Sequence, residues 1–319
     1  MTVFITTLGK IGHLFLLIIA GFVIMKVAKM PKNSTAVLSK LVSKLFMPAL
    51  ILSNFMENFT WARIKGSIGF FVMGVVLGLI FIPLGILISN FTAKTSYLRR
   101  IHTYGLAFSN YGFMGTAVMA SIAPDIFTDY LIMATPLWIA NYSWAVPSLL
   151  MPIKGEENGK NVSILHIELK NLANPMFVAM ALGMVIGILS IPVPSFATTA
   201  VSALSSCMSP STMLLTGMCV ANIDIKRVLK LKSIYILSFL RLLVFPLILI
   251  GAFVLLRFDS NIALSALCIL SMPLGLNSVV IPEAYGKDTS EASGMAIVSH
   301  LCSAITIPLL ISLFDLIVK

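Results

Sequence analysis

A polar, glycine-containing stretch lies in the middle of an apolar run that is otherwise long enough to cross a bilayer as one helix. It extends from Phe108 to Gly115 with the sequence FSNYGFMG, inside residues 103–122. Glycine, serine and asparagine have low helix propensity, so we expect the helix to break here and leave backbone groups without intrahelical partners. At membrane depth, such groups are tolerated only where protein or a watery cavity surrounds them.

A second stretch of the same kind lies in the last fifth of the chain. It extends from Ser271 to Ser278 with the sequence SMPLGLNS, again near the middle of an apolar run. Two interrupted helices at matching places in two halves of a chain are the best sequence-level indication of a transporter's substrate site.

Composition excludes a soluble globular protein. The chain is 58% hydrophobic and only 11% charged, whereas ordinary soluble domains are about 25% charged. Ten membrane-spanning helices are predicted at residues 4–27, 37–55, 67–89, 103–122, 130–151, 173–191, 197–220, 233–256, 262–282 and 292–317. We therefore expect the outer surface of these helices to contact the lipid bilayer. The net charge of +10 falls in short loops between spans, so no nucleic acid is expected.

The distribution of Lys and Arg predicts the orientation. With an external N-terminus, fourteen basic residues lie on the cytoplasmic side and five outside, while three lie within spans. Cytoplasmic loops carry the excess of basic residues. We therefore expect a multi-pass protein of the cell membrane, with both termini outside and the central loop in the cytoplasm.

Landmark glycines and prolines indicate an internal repeat. Five pairs keep an offset of 161 to 163 residues in five successive spans: Gly21 and Gly183, Pro48 and Pro210, Pro83 and Pro246, Gly112 and Gly275, Pro147 and Pro308. Because a unit of five spans is odd, its second copy must be inverted in the membrane. The predicted organisation is a first repeat at 1–151, a cytoplasmic linker at 152–170 and a second repeat at 171–319.

Several motifs resemble those of a known family. They are FMPAL from Phe46, SNYGFMG from Ser109, MPLGLN from Met272 and YGKD from Tyr285. In these motifs the chain resembles the auxin efflux carrier permeases of the bile-acid/arsenite/riboflavin-transporter superfamily. The resemblance covers essentially the whole chain.

The resemblance implies an all-α membrane protein in which the broken helices 4 and 9 cross. Spans 1, 2, 6 and 7 would form a scaffold, and spans 3–5 and 8–10 a mobile bundle with the substrate beside the crossover. The short central loop is similar to that of bacterial members, which implies a small organic acid such as malate or malonate.

The residues of the two breaks have the chemistry of an anion site. The second piece of each broken helix, starting near Gly112 and near Asn277, presents unpaired N–H groups and a partial positive charge. Asn110 and Asn277 can donate hydrogen bonds to a carboxylate through their amides, and Ser109 and Ser278 through their hydroxyls. The alternative is that these four residues only cap the broken helix ends.

Four further polar residues are candidates for substrate binding or proton coupling. Asn141 and Thr216 are candidates for substrate contact, although a threonine can also bond its own helix carbonyls. Arg241 can reach the interface, pair with an acid or hold a second carboxylate. His300 is a candidate for proton coupling, with a buried structural histidine as the alternative.

The sequence therefore predicts a secondary transporter that moves a small organic anion by alternating access. Two alternatives stay open: a sodium-coupled symporter of the bile-acid-transporter type, and a membrane-embedded anion sensor. An enzyme is not expected, because no metal motif or nucleophile–base pair lies at membrane depth. No cofactor or metal is predicted, and a homodimer is one assembly open to the chain.

Overall fold

The protein is all-helical in the residues that its computed structural model describes, which are 2–31, 33–153, 163–222 and 224–318. Within these residues the only extended pairing is an isolated antiparallel bridge between Ser109 and Leu274. The all-α prediction is thus confirmed. The middle of the predicted linker, including Asn158, lies outside the described residues, and the boundaries of the two repeats stay a prediction.

The helices follow one another in a simple order. They are α1 Thr2–Val27, α2 Ser34–Asn58, α3 Trp61–Gly66, α4 Ile68–Thr92, α5 Ser96–Ala107, α6 Met114–Ile122, α7 Phe127–Ala140 with a π-helical continuation Asn141–Leu150, α8 Leu169–Leu172, α9 Pro175–Leu189, α10 Ser195–Ser206, α11 Met208–Asn222, α12 Ile225–Val228, α13 Lys232–Leu256, α14 Ser260–Ser271, α15 Asn277–Ala284 and α16 Ser290–Val318.

Four of the described helices are long and apolar enough to cross a bilayer by length and composition: α2, α4, α13 and α16. Their mean hydropathy lies between 1.6 and 2.8. Large apolar side chains cover their outer faces, with Leu79 71% and Leu255 81% exposed. A surface of this kind would aggregate in water, so these faces fit contact with lipid. Shorter apolar helices extend over Phe15–Val27, Pro175–Leu189 and Ser260–Ser271.

Prolines account for the irregular turns, which the sequence analysis did not predict. π-Helical turns at Val42–Phe46 and Leu240–Val244 directly precede Met47-Pro48 and Phe245-Pro246. Proline lacks an N–H and its ring clashes with the carbonyl four residues earlier, so the helix widens. Similarly, the predicted span 197–220 divides at Cys207, because Pro210 cannot donate to Ser206.

Glycines allow very close helix packing in the interior. A Cβ on Gly21 of α1 would collide with the Leu214 carbonyl oxygen of α11, and a Cβ on Gly217 of α11 with that of Ile18 of α1. In the same way, a Cβ on Gly183 of α9 would lie 3.0 Å from the Leu52 oxygen of α2. Helix α1 thus packs against α11, and α9 against α2.

The two interrupted helices meet at their breaks. The Asn110 N–H donates to the Pro273 carbonyl (2.8 Å), and the Gly275 N–H donates to the Phe108 carbonyl (3.1 Å). These two bonds enclose the Ser109–Leu274 bridge. Because the breaks satisfy each other's backbone groups, neither needs water at this point. This contact fixes the ends of α5, α6, α14 and α15 around one centre.

We expect Gly217→Val to destabilise the protein because its side chain would overlap the α1 backbone. Overpacking of this kind costs about 1–3 kcal/mol, so the melting temperature in detergent should fall by several degrees. Gly251→Val is the matched control, since a Cβ at Gly251 meets no atom within 4 Å. Equal melting temperatures of the two variants would contradict the close α1–α11 packing.

Candidate functional site

A cavity lies beside the contact between the two breaks. The cavity is narrow in this state: its volume is about 30 Å³, within about 470 Å³ of atom-free space that includes open solvent at the mouth. The wall combines α2, both interrupted segments and the junction of α7 with its π-helical continuation: Leu50, Ile51, Asn54, Phe55, Tyr104, Ser109, Asn110, Tyr111, Gly112, Phe113, Trp138, Asn141, Tyr142, Gly275, Leu276 and Asn277. No acidic or basic side chain is among these residues. The cavity is therefore polar but carries no formal charge.

The structure brings five of the nine predicted residues together at this cavity. They are Ser109, Asn110, Gly112, Asn141 and Asn277. The other four are buried beside the cavity or away from its wall: Thr216, Arg241, Ser278 and His300.

The amide nitrogens of Asn110 and Asn277 hydrogen-bond other side chains of the protein. Asn110 is 1% exposed, and its Nδ2 lies 3.0 Å from His300 Nε2. Asn277 is 6% exposed, and its Nδ2 donates to the Tyr104 hydroxyl at 2.9 Å. The Oδ1 atoms of both side chains are buried and have no hydrogen-bond partner. In this state, each amide thus commits a donor to the protein and leaves its acceptor unpartnered.

Asn141 completes a set of three amides. Its side chain interacts with the hydroxyls of Tyr104 and Tyr142, and its Oδ1 is likewise buried without a partner. Buried polar atoms are paired in most native proteins. Three unpartnered amide oxygens on one cavity therefore indicate a place for a ligand, an ion or water.

The predicted hydroxyls bond to backbone carbonyls. Ser109 Oγ donates to Ile269 O (2.6 Å), Ser278 Oγ to Gly275 O (2.7 Å), and Thr216 Oγ1 to Thr212 O (2.8 Å). Ser109 thus bonds the last turn of α14, Ser278 bonds the segment before its own helix, and Thr216 bonds its own helix. Neither serine accepts a bond from a helix N-terminus as a cap would. Only Ser109 also lines the cavity.

Residues at the start of both second half-helices line the cavity. Tyr111 and Gly112 precede α6, and Leu276 and Asn277 stand at the start of α15; all four are on the wall. The N–H groups of Ser278 and Val279 already donate to the Gly275 and Leu276 carbonyls, so the attraction for an anion at α15 comes from the helix dipole, about half a positive charge. A Cβ on Gly112 would lie 3.2 Å from Trp138 Nε1, so a side chain at this position would narrow the cavity.

Arg241 is buried and is not part of the cavity wall. Its guanidinium donates to the carbonyls of Leu106 (3.0 Å) and Ile269 (3.0 Å) and more weakly to Met272 (3.4 Å), and it is 1% exposed. These carbonyls belong to the ends of α5 and α14, where helix dipoles are negative. The cation thus neutralises both first half-helices, and none of the three expected roles of Arg241 describes this contact.

Aromatic residues complete the wall, and the sequence analysis missed them. Tyr104 stacks on Phe108 with ring centroids 5.3 Å apart, and the ring centroids of Tyr111 and Trp138 are 6.0 Å apart. Nothing in their spacing separates these rings from the other aromatic side chains of an apolar chain. Among the described residues, no group of three or more His, Cys, Asp and Glu side chains could hold a metal ion.

Polar contacts join α2 to the end of α15. Thr35 Oγ1 donates to Glu283 Oε1 (2.7 Å), and Lys44 Nζ donates to the Tyr285 hydroxyl (3.2 Å). Ser39 Oγ donates to the Val280 carbonyl. They hold α2 and α15 together along the part of α2 that precedes its cavity-lining residues.

We expect Arg241→Met to lower the melting temperature in detergent whether or not an anion is present. It removes the guanidinium donor from three buried carbonyls, of which Ile269 keeps the Ser109 hydroxyl and Leu106 and Met272 lose their side-chain donor. Each unsatisfied group costs about 1–3 kcal/mol. Arg257→Met is the control, since Arg257 is exposed at the end of α13. Unchanged stability with lost anion binding would instead make Arg241 a substrate ligand.

Comparison with known proteins agrees with this arrangement. A search of curated proteins finds no match, but the model of a family described as "membrane transport protein" matches residues 6–311. That match covers nearly all of the chain. The protein therefore belongs to this family, that of the auxin efflux carriers, and is a membrane transporter.

Proposed function

We propose that this transporter moves small organic anions, of the carboxylate or dicarboxylate class such as malate or malonate, by alternating access. The observation that carries the proposal is the uncharged cavity at the meeting point of two half-helix N-termini. Such N-termini bind anions without a formal positive charge. Moderate binding of this kind suits a carrier, because the anion has to leave again on the other side.

Charge placement supports an anion. Arg241 donates to carbonyls near the negative ends of α5 and α14, whereas residues at the positive ends of α6 and α15 line the cavity. No carboxylate lies on the cavity wall to repel an anion. The arrangement therefore suits an anion better than a cation.

Equivalent contacts support two inverted five-helix repeats. The Gly21–Leu214 contact and the Gly183–Leu52 contact are related by the same offset of 162 residues, with the two halves exchanged. This is the pattern that a two-fold axis in the membrane plane produces. We assign α1, α2 and α9–α11 to a scaffold, and the helices of α4–α7 and α13–α16 to a mobile bundle.

A sodium-coupled symporter is a second candidate function, and one observation favours it. The three unpartnered Oδ1 atoms of Asn110, Asn141 and Asn277 are oxygen ligands of the kind that hard cations prefer. Carboxylate uptake into proteoliposomes separates the two candidates: an unchanged rate when choline replaces sodium favours the anion carrier, and loss of uptake favours the symporter. An anion sensor would bind the carboxylate and show no uptake.

The central linker is proposed to be cytoplasmic, on the strength of the charge asymmetry. A cysteine in place of Asn158, in a variant whose exposed Cys207 and Cys302 are replaced by serine, should resist impermeant thiol reagents in intact cells. It should react after the membrane is permeabilised. Rapid labelling of intact cells would reverse the proposed topology.

Asn277 provides the sharpest test of the anion site. We expect Asn277→Ala to weaken carboxylate binding roughly tenfold to a hundredfold, because it removes a hydrogen bond to a charged group worth about 1.5–3 kcal/mol. Asn277→Asp should weaken binding further, since it places a negative charge where the anion lies. Binding is measured by thermal shift against mono-, di- and tricarboxylates.

Thr212→Val serves as the control for these variants, because the Thr212 hydroxyl bonds only within its own helix, to Met208. It should bind carboxylates as the parent does. If Asn277→Asp also binds them as well as the parent, the anion does not lie at this site.

A further inference from the structure

The contact between Asn110 and His300 links the cavity to a buried imidazole. His300 lies on α16 and is 2% exposed. Its Nε2 meets Asn110 Nδ2 at 3.0 Å, and its Nδ1 lies 2.7 Å from the Ala296 carbonyl oxygen. Both ring nitrogens therefore have defined partners.

These partners fix the tautomer of neutral His300. A carbonyl oxygen can only accept, so the proton is on Nδ1 and is donated to Ala296. Nε2 is then an acceptor, and only the NH2 group of Asn110 can complement it. The Oδ1 atom of Asn110 has to point away, which explains why it is buried without a partner.

We propose that His300 binds the proton that accompanies an anion and that Asn110 couples the two, an inference that rests on the proposed anion transport. A proton on Nε2 turns that atom into a donor facing the NH2 donors of Asn110. Half a turn of the amide about its Cβ–Cγ bond removes this conflict, because Oδ1 then accepts from Nε2–H. The NH2 group now faces the cavity, where it can donate to a carboxylate.

The Asn277–Tyr104 pair lacks this dependence on protons. A tyrosine hydroxyl both donates and accepts, so the Asn277 amide can turn without any change in protonation. A carboxylate can therefore recruit the Asn277 amide at any pH, whereas it recruits the Asn110 amide only when His300 is protonated. The two asparagines, which occupy similar places in the two breaks, thus have different roles.

Among the described residues, no acidic side chain bonds the His300 ring to balance a proton there. The ring nitrogens contact only Ala296 and Asn110, and the Arg241 guanidinium is held by backbone carbonyls. On the elements packed against α16 and beside Asn110, the ionisable groups with restricted exposure are Tyr111, Cys219, Arg241, Cys268 and Glu283, of which Glu283 bonds Thr35 and Thr289. On α16 itself they are Glu291, which bonds His102 and Ser233, and Asp315 near the end of the helix.

The missing countercharge has to come from the anion. A single buried charge is costly, whereas a proton and a carboxylate that enter together are neutral as a pair. Linkage is reciprocal, so the anion should strengthen proton binding as much as the proton strengthens anion binding. The carrier therefore takes up a proton on His300 only when it also binds an anion.

The test is calorimetric titration of the purified full-length protein with malate from about pH 6 to about pH 8, where histidine titrates and malate is ionised. Buffers of different ionisation enthalpy report the protons taken up. We expect uptake approaching one proton per malate at the acidic end of this range, with tighter binding as the pH falls. His300→Gln and Asn110→Ala should each bind malate without proton uptake.

His102→Gln is the matched control. His102 is a second buried histidine, but it bonds Glu291 and Thr92 at a distance from the cavity wall, so this variant should keep the parent's proton uptake. Malate binding without proton uptake in the parent, or full uptake in Asn110→Ala, overturns the coupling and leaves the anion site standing. Absence of binding by malate and every other carboxylate overturns both proposals.

Discussion

The structure depends on how two interrupted helices satisfy their broken ends inside an apolar protein. Unpaired N–H and C=O groups at membrane depth cost several kcal/mol each, roughly. Here the breaks pair with each other through Asn110, Pro273, Phe108 and Gly275. The remaining carbonyls at the ends of α5 and α14 are taken by Arg241, with Ser109 adding a bond to Ile269. Backbone irregularity is thereby confined to one place.

This arrangement separates the two signs of the helix dipoles. The negative ends are enclosed by a buried cation, while the positive ends open on the cavity. This separation of helix ends suits a protein that has to bind an anion and then release it, because the attraction comes from helix N-termini and not from a charged side chain. The asparagines then decide how strongly the cavity favours an anion, since each amide can present either a donor or an acceptor.

Much of the fold could be predicted from the sequence because glycine and proline act locally. The breaks near Gly112 and Pro273 lie where those residues disfavour a regular helix. The contacts of these residues could not be predicted. Arg241 was a candidate residue, but its carbonyl acceptors are 28 to 135 residues away in the chain. The same holds for Asn110 and His300, both singled out as candidates, whose contact spans 190 residues. Pairing at such separations follows from packing, which no local pattern contains.

If a carboxylate binds between the two breaks, an experimental structure determined with saturating malate at mildly acidic pH should show it there. We expect density for the ligand between Asn110 and Asn277, against the first residues of α6 and α15, with Arg241 still on its three carbonyls. Malate bound elsewhere, for example beside Lys94 and Lys230 at the surface, with the central cavity holding only water, would mean that the breaks do not form the anion site.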